Sequence, residues 1–516
     1  MIKKILLAWA IIYCLPIASA FAGQLAANEN KTVNYFNHIK SEPESLYLFL
    51  NQMPKGADLH NHLSGATYAE DLLNYAKRDN FCIDPKTFLL SQNSQCPAAQ
   101  QLTHIDTEPD FYRSVVENWS LANFVPGQQT GEEHFFPSFI KFGPIVEKHT
   151  SEVLAEIISR AASEKLSYLE LMLTPYDLGL VTQASGLVGN TDKNITWNNN
   201  FSDMRAQLLK NGISNFAQKI SLKIKTAEQQ AQQQLKCGTA QADLGCQIKV
   251  NYQYIALREM SPLQVFAQLL AGFEAAKIDL SVVAVNLVQA EDGPLAVKNY
   301  DLDMQMIGYL HGVYPQVHIS LHAGELAPDN VTPETLRNHI SHAIAIAHAE
   351  RIGHGVDIAY EDNAQQLMQA MAKKNVMVEI NLTSNAKLLG IQGKEHPFPL
   401  YLRNHVPVAL STDDEGVLRT DISREFLRAV LTYQLDYLTL KKLARNSITY
   451  AFLPGASLWK VNEKTLPVTA CANNQLGSEN PSSQCRQFLA KSEKAQLQWQ
   501  LEKQFNIFES AISKLN

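Results

Sequence analysis

The chain has 516 residues, of which 46% are hydrophobic and 18% charged, with a formal net charge of -7. That balance excludes a chain too polar to fold, and it provides no basic surface for nucleic acid. The length suits one large barrel or two to three ordinary domains.

The first residues read as an export signal. Lys3 and Lys4 precede an apolar stretch from Ile5 to Ile17, and Ala18-Ser19-Ala20 or Ala20-Phe21-Ala22 supplies the small-x-small pattern of a cleavage site. The run is too short to span a bilayer comfortably, and Tyr13 is too bulky for a lipoprotein site at Cys14. Residues 1–22 are therefore expected to be removed, leaving a periplasmic or secreted product without a membrane segment. Residues 23–52 read as a helical extension, with Tyr47, Leu48, Phe49 and Leu50 near a helix end. Cys82, Cys96, Cys237, Cys246, Cys471 and Cys485 then fall as three sequence-local couples. An even set in an exported chain points to disulfides, although the pairing stays open. No CxxC spacing favours zinc ligation by these residues.

Eight candidate strands follow: Ala57–His62, Leu166–Leu173, Val250–Ala256, Leu280–Val288, Val317–His322, Arg351–Gly353, Val376–Ile380 and Val408–Leu410. Most are continuous apolar runs, as strands buried on both faces should be. Helical patterns such as Pro262–Ala276 and Asp362–Lys374 lie between them. Strands alternating with helices predict a parallel α/β sheet, and eight such units predict a (β/α)₈ TIM barrel over residues 53–455. Residues 81–145 and 177–248 break the repeat and read as insertions. The second carries a helical stretch from Ile220 to Leu235. Residues 456–516 form a C-terminal extension with Cys471, Cys485 and an amphipathic helix near Gln487–Ile512.

Chemistry-bearing residues gather at the predicted C-terminal strand ends, where barrel enzymes keep their active sites. In His60-Asn61-His62, positions i and i+2 share a face, so both imidazoles can serve one metal. His322-Ala323-Gly324-Glu325 ends the fifth strand, Arg351-Ile352-Gly353-His354-Gly355 the sixth and Ser411-Thr412-Asp413-Asp414 the eighth. Taken singly, each has an ordinary structural explanation: a core histidine, a helix-terminal carboxylate, a loop cap. Four at four strand ends favour a metal site instead. A cation on Asp413 would offset the cost of adjacent carboxylates. Three His and one Asp suit zinc best, with manganese and iron as the other metals considered. Such an ion lowers the pKa of its water toward about 7 and supports hydrolysis of amides, phosphoesters or amidines alike. The remaining histidines, His339 and His396 among them, receive no role.

In order, Met53-Pro54-Lys55 leading into His60-x-His62, then the three later motifs, resemble the signature of the adenosine deaminase family in the amidohydrolase superfamily. The resemblance covers roughly residues 53–455. Export, the long N-terminal portion and a cysteine couple in an insert are similar to the secreted, growth-factor-related branch. It implies that His60, His62, His322 and Asp413 bind one zinc ion, that Asp413 also stands among the catalytic residues, and that zinc-bound hydroxide attacks purine C6. It further implies that Glu325 protonates purine N1, His354 orients the attacking water and moves protons, and Asp414 hydrogen-bonds N7. Adenosine, and 2′-deoxyadenosine with it, would become inosine-type product and ammonia. The chain departs from the family in two places. Ser64-Gly65 stands where an acidic group commonly holds the ribose 5′ hydroxyl, and Gln289 stands where a glycine usually meets purine N3. Both put substrate preference in question, so Ser64 and Gln289 enter as candidate substrate contacts. Another aminopurine or modified nucleoside is the second enzymatic reading. A secreted nucleoside-binding or signalling protein is the third, and the intact ligand set with Glu325 argues against it. The expected partner is a small purine nucleoside, with a homodimer as the assembly considered.

Overall fold

The computed structural model describes residues 24–92, 96–97, 100–125, 130–173, 200–460 and 466–515. The expected signal, 1–22, and residues 177–199 of the second insertion lie outside these. Eight strands form one sheet in sequence order: β1 Gly56–His62, β2 Leu166–Leu173, β3 Lys249–Leu257, β4 Val282–Val288, β5 His318–Ala323, β6 Arg351–His354, β7 Met377–Ile380 and β8 Val408–Leu410. Neighbours pair in parallel from β2 through β8. A parallel bridge between Asn61 and Asp413 joins the end of β1 to the residues past β8. Asp413 N donates to His60 O at 2.8 Å, and His62 N donates to Asp413 O at 3.2 Å. The expected (β/α)₈ barrel is therefore the architecture, with each strand displaced by at most two residues at either end.

Every residue of β1 and β2 is buried, as strands need when the barrel interior lies on one side and helices on the other. The interior is not wholly apolar. Arg351 on β6 donates to Glu170 on β2 at 2.6 Å and is ion-paired with Glu379 on β7 at 2.7 Å, all three at 1% side-chain exposure or less. Tyr168 donates to Glu170 at 3.0 Å and Ser320 to Glu379 at 3.0 Å. A dry guanidinium is tolerated here because two carboxylates face it.

Both excursions have structure of their own. The first carries a disulfide, Cys82–Cys96, and the helices Pro109–Trp119 and Gly131–Lys148. The second helix starts at a reciprocal cap, in which Thr130 and Glu133 satisfy each other's backbone amides. Its first turn leans on the segment after β7, since a Cβ on Gly131 would stand 1.9 Å from Lys387 O. Leu121 N donates to Val417 O at 2.8 Å, tying the same excursion to the loop after β8. The second excursion supplies Phe201–Lys210, Ile213–Gln234 and a disulfide, Cys237–Cys246.

By packing, the described residues divide into those within 57–425, which hold the strands above except Gly56 at the start of β1, and a unit made from 24–56, 426–460 and 466–515. In that second unit Phe49 packs edge-on against Tyr437 and Phe508. Lys441 Nζ donates to Glu29 and Glu509, each at 2.6 Å. Cys471–Cys485 sits in a small core with Leu458, Trp459 and Trp499. The tail pattern around Gln487–Ile512 resolves into two helices, Ser483–Leu489 and Glu493–Ile512, because the Ser492 side chain caps the second one.

Replacing Arg351 by Met keeps bulk but leaves Glu170 and Glu379 buried without their counter-charge. Chemical denaturation is expected to show a loss of about 3–5 kcal/mol. An unchanged midpoint and slope would contradict the role given to this ion ladder.

Candidate active site

The strand ends bring the expected residues together. His60 and His62 project from the end of β1 to the same side. His60 Nδ1 meets Glu379 Oε2 at 2.8 Å. Glu379 is ion-paired with Arg351, so it accepts and Nδ1 donates; in the neutral ring the opposite nitrogen, Nε2, then carries the lone pair. That Nε2 is buried without a hydrogen-bond partner among the described residues, 3.7 Å from Asp413 Oδ1.

His322 follows the same logic at the end of β5. Asn286 Oδ1 accepts from His322 N and Nδ1, both at 3.0 Å, and from Leu287 N at 2.8 Å. The oxygen must therefore be an acceptor, and the proton of a neutral His322 sits on Nδ1. Its Nε2 faces His62 Nε2 at 3.2 Å, and His62 Nε2 lies 3.3 Å from Asp413 Oδ1. Potential ligand atoms of His60, His62 and His322 lie within 4.8 Å of one another, as do those of His60, His354 and Asp413 and those of His62, Asp413 and Asp414.

An orphaned buried imidazole nitrogen, two ring nitrogens facing each other and an adjacent carboxylate oxygen form a donor set that suits a divalent cation. Three nitrogens and one oxygen match the ligands zinc takes. The outer partners, Glu379 and Asn286, hold the rings by their far nitrogens, as metal-binding histidines require.

Electrostatics favour the neutral form at His62 and His322 but not at His60. Burial draws the His62 imidazole down to about 4 and His322 well below its ordinary value. Burial also lowers His60, but its hydrogen bond to Glu379 and the Asp413 charge outweigh this and raise it. For Asp413 burial raises the pKa, yet the His60, His354 and His62 rings bring it down to about 2. Both His354 (φ 68°) and Asp413 (φ 62°) occupy the left-handed region. Non-glycine residues adopt that conformation at a cost, and such strain clusters at functional sites.

His354 stands at the end of β6, its Nε2 3.8 Å from Asp413 Oδ2 and its Nδ1 3.5 Å from Glu325 Oε1. Asn385 Nδ2 meets His354 Nδ1 at 2.9 Å, and Asn385 Oδ1 meets His396 Nε2 at 3.0 Å. Burial holds His354 down to about 3. Glu325 is raised well above the carboxylate range, by burial first and then by the Asp413, Glu132 and Glu291 charges. Asp414 is raised likewise by burial and by Asp413, and its Oδ1 has no hydrogen-bond partner among the described residues. A Cβ on Gly65 would fall 1.9 Å from that oxygen, so the residue after Ser64 has to be glycine for Asp414 to sit here.

The two departures from the family pattern follow the ends of β1 and β4. Ser64 is buried in the short helix Leu63–Ala66 directly after β1. Gln289 has φ 80°, and its side-chain oxygen accepts from Glu259 N at 2.9 Å.

Sequence reasoning missed Glu379, Asn286, Asn385 and Glu132. The first two had a visible signal: each is a lone polar residue in an otherwise apolar strand. Glu132 had none. It lies in the first turn of Gly131–Lys148, hydrogen-bonded to Asp292 and pushed up to about 8 by burial and the Asp292 charge. Its effect on Glu325 places a carboxyl from the first excursion near the site.

An eight-stranded parallel barrel with imidazoles and carboxylates at its C-terminal end defines the amidohydrolase class of barrel. The adenosine deaminase family model matches residues 145–465. Adenosine deaminases of Pectobacterium atrosepticum and Escherichia coli are 32% identical over 156 residues and 34% identical over 148 residues. These matches cover 30% and 28% of this chain, and the chain spans only 43% and 41% of those relatives' lengths. A zinc-bound amidohydrolase from Burkholderia ambifaria shares the fold, with a TM-score of 0.50 at 14% identity over 79% of this chain and 88% of that one. The chain belongs to the adenosine deaminase family.

Glu379→Gln is expected to weaken zinc binding by about 10–100-fold, as outer partners of metal ligands do. Calorimetric titration of metal-stripped protein reads this directly, and an unaltered affinity would remove Glu379 from the account.

Proposed function

We propose that this chain is a hydrolytic deaminase that converts adenosine, and 2′-deoxyadenosine with it, to the corresponding inosine and ammonia. The observation that carries this reading is the pairing of two differently prepared sites in one pocket. A set of bare imidazole nitrogens with Asp413 lies beside Glu325, a carboxyl that burial keeps in its acid form. Family membership supports the reaction class.

His60, His62, His322 and Asp413 would hold zinc, which when bound supplies a Lewis acid and a nucleophilic water near neutral pH. Everything else falls to the chain's own side chains. Glu325 donates its proton to purine N1, which withdraws electron density from C6 and prepares it for addition. Its burial matters because a carboxylic acid at its ordinary pKa would be ionised at neutral pH and could not donate. Neutral His354, steadied by Asn385, orients the attacking water and serves in proton transfer to the departing amine. Asp414 hydrogen-bonds N7. N7 is only an acceptor, so Asp414 must be the donor, and its raised pKa supplies the proton this needs.

Ser64 and Gln289 remain candidate substrate contacts. With its oxygen committed to Glu259 N, Gln289 has only its amide NH₂ to offer an acceptor such as N3. Three disulfides in the described residues fit a protein working outside the cytoplasm. No helix among them is long and apolar enough to cross a membrane. We assign the enzyme to the periplasm or the exterior, acting on a free nucleoside.

Purified protein with zinc is expected to release ammonia from adenosine and to stop on chelation. Glu325→Gln should keep its metal and lose about 10²–10⁴-fold in turnover. Because Glu325 acts protonated and its pKa is raised, turnover should hold through neutral pH and fall on the alkaline side. Full activity of the Gln variant, or loss on the acid side alone, would contradict the donor role. A preference for another aminopurine in a substrate panel would move the reading to that base while keeping the chemistry.

A further inference from the structure

Glu291 lies three residues past β4, at 0% side-chain exposure, and takes no part in the reaction described above. Its two oxygens divide one short peptide segment between them. Gly324 N donates to Oε1 at 3.0 Å and Glu325 N donates to Oε2 at 2.8 Å. His339 Nδ1 meets Oε1 at 2.6 Å, and Arg258 Nη1 stands 3.8 Å from Oε2. His339 is itself stacked on Tyr300 at 3.6 Å between ring centroids, and Tyr300 donates to His339 O at 2.7 Å. Arg258 Nη2 donates to Leu287 O and His322 O at 3.0 and 2.9 Å. A buried carboxylate carries a large desolvation cost, which two amides, an imidazole and a guanidinium here offset.

We propose that Glu291 is a positioning residue for the proposed reaction: by gripping the Gly324 and Glu325 amides it fixes the peptide that sets the Glu325 Cα–Cβ direction, and so aims that carboxyl at the purine. This rests on the donor role given to Glu325 above. The segment needs such a grip. Gly324 has φ 73°, and a Cβ there would meet Asp357 Oδ1 at 2.3 Å, so the turn is built on the residue with the least intrinsic rigidity. His339, which sequence reading leaves without a role, is the lateral support of the grip.

Packing alone would also account for a buried acid, and the two cases differ in what they couple to. A structural acid lowers activity whatever Glu325 is. A positioning residue acts through Glu325 and has nothing to lose once that carboxyl is gone. The groups facing Glu325 are Asp413, Glu132, Glu291, Arg258 and His354. Burial would raise the pKa of Glu291, but its His339 bond and the Arg258 charge bring it below the ordinary value, so it faces Glu325 as an anion. Removing that charge therefore makes Glu325 easier to ionise.

In zinc-loaded enzyme assayed with adenosine, Glu291→Gln is expected to cut kcat about 100-fold, the scale of a 1 Å misplacement. Zinc content should be unchanged, and the alkaline limb of the kcat profile should move to lower pH. The double variant Glu291→Gln/Glu325→Gln should turn over no more slowly than Glu325→Gln alone. Losses that multiply in the double variant, or a wild-type kcat in Glu291→Gln, overturn the proposal. Should Glu291→Gln fail to fold, His339→Gln takes its place, with a loss of roughly 10-fold that must also vanish in the Glu325→Gln background. If the wild type releases no ammonia from adenosine, it is the functional reading that has failed. The grip is then tested in a crystal structure of Glu291→Gln, whose side chain cannot accept from both amides at once. The Gly324–Glu325 peptide and the Glu325 carboxyl should leave their wild-type positions, and unmoved positions overturn the inference.

Discussion

Three imidazoles and a carboxylate meet at the barrel mouth with ring nitrogens turned toward one another, and the rest of the site follows from that crowding. The Nε2 atoms of His62 and His322 share one hydrogen bond at 3.2 Å, and that of His60 is buried with no partner among the described residues. Two of the three rings are held in place from behind. Glu379 takes the outer nitrogen of His60, and Asn286 takes that of His322. Glu379 can do so as an anion because Arg351 and Ser320 lie against it. The polar filling of the barrel is thus the underside of the site, and strand order places it there.

The same burial that prepares the nitrogens separates the acids into roles. Asp413 is drawn toward its charged form among the rings, while burial pushes Asp414 and Glu325 toward their neutral acids. Neighbouring carboxyls in one dry site cannot all ionise, so one keeps its charge while the others are pushed toward their acid form. The first excursion adds to this pressure through Glu132, supplied from a helix whose first turn rests on the segment after β7.

Much of this was legible in the chain. Continuous apolar runs fixed the eight strands to within two residues, since burial on both faces leaves little room for alternation. HxH, HAGE, GHG and STDD stood out because they fell at strand ends in order. What stayed hidden was hidden for physical reasons. Glu291, His339, Asn385 and His396 act through hydrogen bonds between residues 11 to 48 positions apart, which no local pattern encodes. Glu132 belongs to an insertion with no periodic link to the barrel. The tail helix divides because one serine caps a new start, a choice made by Ser492 rather than by the amphipathic pattern.

Anomalous diffraction at the zinc edge, on crystals grown with zinc, tests the central claim most directly. The account predicts one strong peak within about 2.0–2.3 Å of one nitrogen from each of His60, His62 and His322 and of an Asp413 oxygen. A peak elsewhere in the barrel, or none at full zinc occupancy of the solution, would contradict it.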